Sequence, residues 1–258
     1  MKTDHEPIIQ VDNLTVAYGD FVVLKDISFK VRSGEVFIVL GGSGCGKSTL
    51  MKHMIGLEKP RTGRVLIDGT DIITAEGPEK REILKKIGVM YQSGALFGSM
   101  NLLENICLVF EEFTDLPPDA MKLIAQMKLK VVDLAGAAYK MPAELSGGMK
   151  KRAAIARAMA LDPKILFLDE PSAGLDPITS AQMDQLILQL ARGLNITFVI
   201  VTHELPSIFT VADVVIMLDK RAKTIVATGR PDELRDSSDN PWVRQFFNRQ
   251  SEQRTAGN

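Results

Sequence analysis

Val36-Phe37-Ile38-Val39-Leu40 runs directly into Gly41-Gly42-Ser43-Gly44-Cys45-Gly46-Lys47-Ser48, and a helical pattern follows from Lys47 to about Leu57. A continuous apolar run of this kind is what a strand buried on both faces of a parallel sheet requires. The loop after it matches G-x-x-x-x-G-K-[ST] in full, between a strand and a helix, which is the context the motif's physics needs. Its glycines let the backbone curl so that successive N–H groups point at phosphate oxygens, and the helix N-terminus adds favourable partial charge. Lys47 is placed to reach the β- and γ-phosphates, and the Ser48 hydroxyl to bind Mg²⁺. Cys45 occupies a variable position, either as a small filler or as a regulatory thiol. Burial beneath bound nucleotide predicts that ATP protects it from alkylation.

Upstream, from Ile8 to Val39, short apolar segments rich in Val, Ile and Phe alternate with polar residues. They are punctuated by Tyr18-Gly19-Asp20 and Arg32-Ser33-Gly34-Glu35, which predicts short strands and hairpins. Downstream, from about Gly94 to Met159, the periodicity is mostly helical, with Pro117-Pro118 and Pro142 as breaks, and predicts a mainly helical insert. Ile165-Leu166-Phe167-Leu168 and Phe198-Val199-Ile200-Val201 are two more buried-strand runs, separated by the helical stretch Ser180–Leu194. Strands alternating with helices imply crossover units, an α/β fold and a parallel sheet. Trp242, Val243, Phe246 and Phe247 share one face of a short helix that docks either on its own domain or on a second subunit. Ser251–Asn258 is polar and reads as a frayed end.

The 258 residues amount to one large or two small domains at roughly 100–200 residues each. Hydrophobic residues at 45% and charged residues at 24% exclude a wholly disordered chain. No apolar run approaches the about 20 residues needed to span a bilayer. The start MKTDHEPIIQ puts acidic residues where a signal peptide needs a basic stretch and an apolar block, so secretion is not expected. Lys+Arg 31 against Asp+Glu 32 gives a net charge of -1, which does not support broad capture of nucleic acid. Cys45 and Cys107 lack partners at metal or redox spacing, which suits a reducing compartment. His5, His53 and His203 are too scattered in sequence to suggest a metal site.

Asp169-Glu170 closes the apolar run Ile165–Leu168, placing two carboxylates at a strand's carboxyl end, where open α/β sheets bind ligands. Asp169 can hold Mg²⁺, directly or through water, and Glu170 is positioned to polarise an attacking water as general base. Such pairs also cap helices, but here one follows a phosphate loop. Leu145-Ser146-Gly147-Gly148-Met149 then offers Ser146 as a helix N-cap, ahead of a helix Met149–Ala160 with Lys150, Lys151, Arg152 and Arg157. It reads as an ordinary capped helix or as a second anion-binding helix terminus.

In this order the motifs resemble the nucleotide-binding subunit of ABC transporters, from Ile8 to about Leu234. Tyr18 matches the aromatic that stacks on adenine, Gly41–Ser48 the Walker A loop, and Gln92 the Q-loop. Leu145–Met149 matches the signature, Ile165–Glu170 the Walker B strand, Ser172–Asp176 the D-loop and His203 the switch histidine. The resemblance implies a P-loop NTPase parallel-sheet core with a small N-terminal antiparallel β subdomain and an inserted α-helical subdomain at about 94–159. The ATP-binding domain would span 8–240, with a tail over 241–258. ATP would lie on Tyr18, Gly41, Gly42, Ser43, Gly44, Cys45, Gly46, Lys47, Ser48 and Thr49, with Mg²⁺ on Ser48, Gln92 and Asp169. Glu170, His203 and Gln92 would act in hydrolysis. In a head-to-tail homodimer, Ser146, Gly147 and Gly148 would close over the partner's ATP, with Asp176 at the dimer contact.

Gln92-Ser93-Gly94-Ala95-Leu96-Phe97, Met100-Asn101, Pro142–Met149, Asp176-Pro177-Ile178-Thr179 and Val243-Arg244-Gln245-Phe246-Phe247 look like the Mla-type ATPases, which energise bacterial phospholipid transporters built around MCE proteins. This implies two copies under a permease dimer on the cytoplasmic face of the inner membrane, an MCE-domain partner and, in some members, a small STAS-type subunit. Two alternatives are the ATPase of another ABC importer or exporter, and a soluble ABC protein acting on ribosomes or DNA. The second predicts tandem cassettes, a coiled coil or a basic arm, none of which the sequence contains.

Overall fold

The computed structural model describes residues 7–248; His5 and the polar stretch 251–258 lie outside the described residues. Strands β1 (Pro7–Tyr18) and β2 (Phe21–Arg32) form a long antiparallel hairpin, and β4 (Thr62–Ile67) and β5 (Thr70–Asp71) extend it into a sheet of order β2-β1-β4-β5. The hairpin strands are 12 residues each rather than short. Register shifts such as the one between Val11 and Leu14 interrupt the alternation, and Asn13 sits there at φ 47 with its N–H donating to Ser28 Oγ at 2.8 Å. A bulged strand loses period-2 patterning, so the sequence breaks it into pieces.

The second sheet has the order β10-β9-β3-β8-β7-β6. Strands β3 (Val36–Gly41), β6 (Ile87–Met90), β7 (Ile165–Asp169), β8 (Thr197–Val201) and β9 (Val214–Asp219) run parallel, and β10 (Thr224–Gly229) pairs antiparallel at the edge. Every residue of β3, β7 and β8 is buried, as the apolar runs predict. Alternate side chains of β3 serve opposite faces. Val36, Ile38 and Leu40 join a core with the helices, while Phe37 and Val39 join a core with the antiparallel sheet, where Phe37 stacks on Phe29 at 5.1 Å. Burying one such side chain contributes about 1.5–3 kcal/mol.

Helix α1 (Lys47–Met54) ends at Ile55 and Gly56, whose φ of +69 stops it short of Leu57. After α2 (Gly77–Lys85), the segment expected to be helical holds α3 (Leu102–Phe113), α4 (Pro118–Val131) and α5 (Gly147–Ala158), as anticipated. Helix α5 begins two residues before Met149 because Ser146 caps it, its Oγ accepting from Met149 N at 3.3 Å. Helix α6 (Pro177–Leu194) is followed by α7 (Leu205–Val211), α8 (Pro231–Ser237) and α9 (Pro241–Phe247). The apolar face of α9 docks on its own chain: Val243 and Phe247 are buried, and Phe247 meets Phe209 edge-on at 5.8 Å. Among the described residues, no helix is long and apolar enough to cross a membrane.

Candidate active site

The carboxyl ends of four adjacent parallel strands carry the candidate residues: Gly41 on β3, Asp169 on β7, His203 just past β8, and Gln92 just past β6. Gly41 has φ +151, and a Cβ there would lie 2.5 Å from Leu218 O and 2.6 Å from Cys45 Sγ, so only glycine fits. The loop then exposes Gly42, Ser43 and Gly44 before α1 starts at Lys47. Lys47 Nζ donates to Gly41 O at 2.9 Å and Gly42 O at 3.2 Å, which holds the ammonium over the cradle that its N–H groups line. Thr49 is half-buried in the first turn, and its carbonyl faces His53 Nδ1 at 2.8 Å, a structural role for that histidine.

Ser48 Oγ donates to Asp169 Oδ1 at 3.2 Å, which brings the end of one motif to the end of the other. Asp169 is buried, and burial pushes its carboxyl above the ordinary range, against the pull of Ser48, Lys47 and Lys151. An exposed hydroxyl beside a buried carboxylate offers two hard oxygens, which suits a small divalent cation that takes its other ligands from phosphate and water. No group of three or more His, Cys, Asp or Glu is placed to hold a metal among the described residues, so such an ion depends on those outside ligands.

Glu170 follows with a backbone φ of +50, uncommon for a residue with a Cβ. Its N–H donates to Val201 O at 2.8 Å, and its carbonyl accepts from Lys151 Nζ at 2.7 Å and Ala173 N at 3.2 Å. His203 Nδ1 lies 2.7 Å from Glu170 Oε1, while Oε2 is buried with no hydrogen-bond partner in the protein. An ionised carboxylate only accepts, so the proton of this contact belongs to Nδ1. The carboxylate thus has one oxygen oriented by the imidazole and the other buried without a partner in the protein, the arrangement of a base held in one orientation.

The remaining candidates sit apart from this cluster. Tyr18 is exposed, and its hydroxyl donates to Glu58 Oε2 at 2.6 Å, the bond that chiefly raises its pKa. The β1–β2 hairpin still leans over the loop, because a Cβ at Gly46 would lie 3.1 Å from Val23 and Leu24. Gln92 is exposed beyond β6, and Ser146 and Gly147 are exposed at the start of α5. Gly148 is buried against α6, where a Cβ would come 2.6 Å from Thr179 Cγ2. Asp176 caps α6, accepting from Ile178 N and Thr179 N at 3.0 Å each. The Thr179 hydroxyl bond chiefly lowers its pKa. Cys45 is 2% exposed and its thiol is pushed up by burial, so the protein itself covers it and the expected protection needs no nucleotide.

Sequence reasoning passed over two residues. Asn105 is fully buried in α3 and staples the segment after Gln92: Oδ1 accepts from Phe97 N at 2.8 Å, and Nδ2 donates to Met100 O and Asn101 O at 3.0 Å each. Lys151 was visible only as one of several basic residues, yet it is 7% exposed and bound to Glu170. A polar residue on the apolar face of a helix was the available signal in both cases.

Fold and site together define a P-loop nucleoside triphosphatase. The profile of the ABC transporter family matches residues 24–173, more than half of the chain, and the chain belongs to that family as an ATP-binding ATPase. The probable ribonucleotide transport ATP-binding protein mkl of Mycobacterium leprae is 44% identical over 240 residues, 93% of this chain and 68% of that protein. The intermembrane phospholipid transport system ATP-binding protein MlaF of Haemophilus influenzae is 39% identical over 236 residues, 91% of this chain and 88% of that protein. Among solved structures, the dimeric post-hydrolysis state of the ATP-binding cassette MJ0796, bound to ADP and Pi, superposes with a TM-score of 0.78. It is 29% identical and covers 86% of this chain and 98% of its own.

Proposed function

We propose that this chain is the ATP-hydrolysing subunit of a bacterial ABC transporter that moves phospholipid between membranes. It works as a homodimer under a permease on the cytoplasmic face of the inner membrane, with an MCE-domain lipid-binding protein in the assembly and a small STAS-type subunit as a further partner. The observation that carries this reading is the match to MlaF over 88% of that protein's length. The unit that does the work is residues 8–240, with the helical part about 94–159 facing the permease. A groove of about 480 Å³ between α3 and α4, lined by Met100, Leu103, Cys107, Leu108 and Met121, suits a short apolar helix from that partner.

In hydrolysis, the Gly41–Ser48 loop holds the phosphates through its N–H groups, and Lys47 exchanges its loop carbonyls for β- and γ-phosphate oxygens. Adenine stacks on Tyr18. Ser48, Asp169 and Gln92 would hold Mg²⁺, which neutralises charge developing on the phosphates when bound. Glu170 Oε2 takes a proton from water as its oxygen forms a bond to the γ-phosphorus and the bond to the β–γ bridging oxygen breaks, leaving ADP and phosphate. His203 holds Oε1 and then turns to the γ-phosphate, while Gln92 senses the lytic water. Ser146, Gly147 and Gly148 close on the partner's ATP, and Asp176 lies along the dimer contact.

The name of mkl supports a second reading, transport of a ribonucleotide-like solute. The membrane complex purified with this chain, analysed for bound lipids and proteins, separates the two. Copurified phospholipid with an MCE-domain protein is the expected outcome. A periplasmic solute-binding protein and no lipid would refute the phospholipid reading.

A further inference from the structure

Lys151 is a lysine only 7% exposed, in the helix whose exposed end carries Ser146. An ammonium removed from water persists only where hydrogen bonds and opposite charge compensate it. Its Nζ donates to Glu170 O at 2.7 Å, within the field of both Glu170 and Asp169. The recipient is the residue at φ +50, whose N–H is bound to Val201 O and whose Oε2 is left without a partner. Lys151 thus clamps the peptide group that aims an unpaired catalytic carboxylate. A second cation on the same helix does similar work further along. Arg157 donates to Ala95 O at 2.7 Å and Gly94 O at 3.1 Å, in the segment that follows Gln92. The helix is seated tightly enough to transmit small shifts, because a Cβ on Gly88 of β6 would come 2.1 Å from Ala158 O.

We propose that Lys151 is a positioning residue for Glu170, tying the Ser146 helix to the general base of the same chain. The inference rests on the roles given above to Glu170 and Ser146. ATP held by the partner presses on the Ser146 end of α5, and Lys151 carries that displacement to the Glu170 carbonyl. Each site then sets the aim of the other's base.

The test is Lys151→Met, which keeps the length of the side chain and removes donor and charge, in the full-length chain purified with its membrane partners. A misplacement of about 1 Å costs on the order of 10²-fold in rate, so kcat should fall by about tenfold or more. The Kd for Mg·ATP should stay within about twofold, since no phosphate contact is touched. The unfolding midpoint should fall only modestly, because Glu170 and Asp169 lose a compensating charge while the Glu170 carbonyl keeps its bond from Ala173 N. Lys151→Gln, a neutral donor for the same carbonyl, should recover part of kcat. An unchanged kcat in Lys151→Met overturns the proposal. So does a loss of kcat that comes with a steeply lowered midpoint and is not relieved in Lys151→Gln. Glu170→Gln, assayed alongside, separates the failures. If it leaves turnover intact, the general-base reading falls and takes this inference with it; if it stops turnover while Lys151→Met does not slow it, only the positioning role falls.

Discussion

Glu170→Gln isolates the chemical step from everything that builds the site. The backbone of residue 170 is held by Val201 O, Lys151 Nζ and Ala173 N, none of which depends on the carboxylate. The contact to His203 at 2.7 Å survives, because an amide oxygen accepts from the same Nδ1–H. What disappears is a base at Oε2, the buried oxygen with no partner. A positioned general base contributes about 10²–10⁴-fold, which at about 1.36 kcal/mol per decade is roughly 3–5 kcal/mol of barrier. The substitution also takes away a charge that compensates Lys151 and sets an amide NH2 at the buried, unpartnered Oε2 position, so the folded chain should lose about 1–3 kcal/mol at most. The assay pairs steady-state phosphate release with a titration of fluorescent ATP and a thermal melt. Turnover should drop at least about a hundredfold, with Kd unchanged and the melting point lowered only modestly. Turnover above a tenth of the parent's, or a loss of turnover explained by weakened ATP binding, would refute the argument.

Lys47→Ala should weaken ATP binding itself, because the ammonium poised over Gly41 O and Gly42 O is the phosphate ligand in the proposed mechanism; an undiminished affinity in a nucleotide titration contradicts this. Asn105→Ala leaves Phe97 N and the Met100 carbonyl without the bonds that tie this segment to α3. It should cost about 1–3 kcal/mol, seen as a melting point lowered by several degrees. Asp184 is buried, accepts from Ser207 Oγ at 3.0 Å through Oδ2 alone, and is pushed above its ordinary value by burial. For an acid raised in the folded state, stability is fully present below the unfolded pKa and is lost as pH rises through the folded one. Asp184→Asn should therefore gain melting temperature over the parent as pH goes from about 4 to 8, and a constant difference would count against the burial penalty. Ser146→Arg should spare ATP binding by the isolated chain, since in the proposed dimer Ser146 serves the partner's nucleotide, but should abolish ATP-driven dimerisation of the Glu170→Gln chain. Weakened binding by the monomer would show that Ser146 acts in its own chain.

The parts of this molecule that repeat a local physical rule were legible in its sequence. β3, β7 and β8 are continuous apolar runs because both faces of the sheet are covered, and the loop after β3 is glycine-rich because Gly41 has no room for a side chain. The start of α5 could be read to within two residues because Ser146 caps it with its own side chain, whereas α6 begins three residues before the expected Ser180 because Asp176 caps it. What escaped depends on distant partners. Strand β4 pairs with β1, β6 with β7 and β9 with β3, each far along the chain. The long β1–β2 hairpin hides its length in bulges. The contacts of Lys151 with Glu170 and of Asn105 with Phe97 exist only once helices are seated; sequence spacing marks each as a polar residue on an apolar helix face and does not name its partner. The choice for α9 was undecidable for the same reason, since an apolar helix face does not name its partner; Phe209 and the core beneath it do.

The placement of charge explains how a chain with a net charge of -1 handles a polyanion. A spread of basic residues would bind phosphate at many orientations and reward none of them. Here Lys47 stands at the cradle with the Lys220 ammonium beside Gly44, and Lys151 and Arg157 are spent on carbonyls behind it. Those two cations do not face a ligand; they fix the backbones of Glu170 and of the segment after Gln92 to a single helix. The loop that binds phosphate follows β3 and the candidate base follows β7, strands of one sheet that also meet at the Ser48–Asp169 contact of 3.2 Å. Helix α5 holds that base from outside the sheet, through Lys151. A shift of α5 would therefore change the aim of the base while leaving the Gly41–Ser48 cradle, which no bond from Lys151 or Arg157 touches, in place.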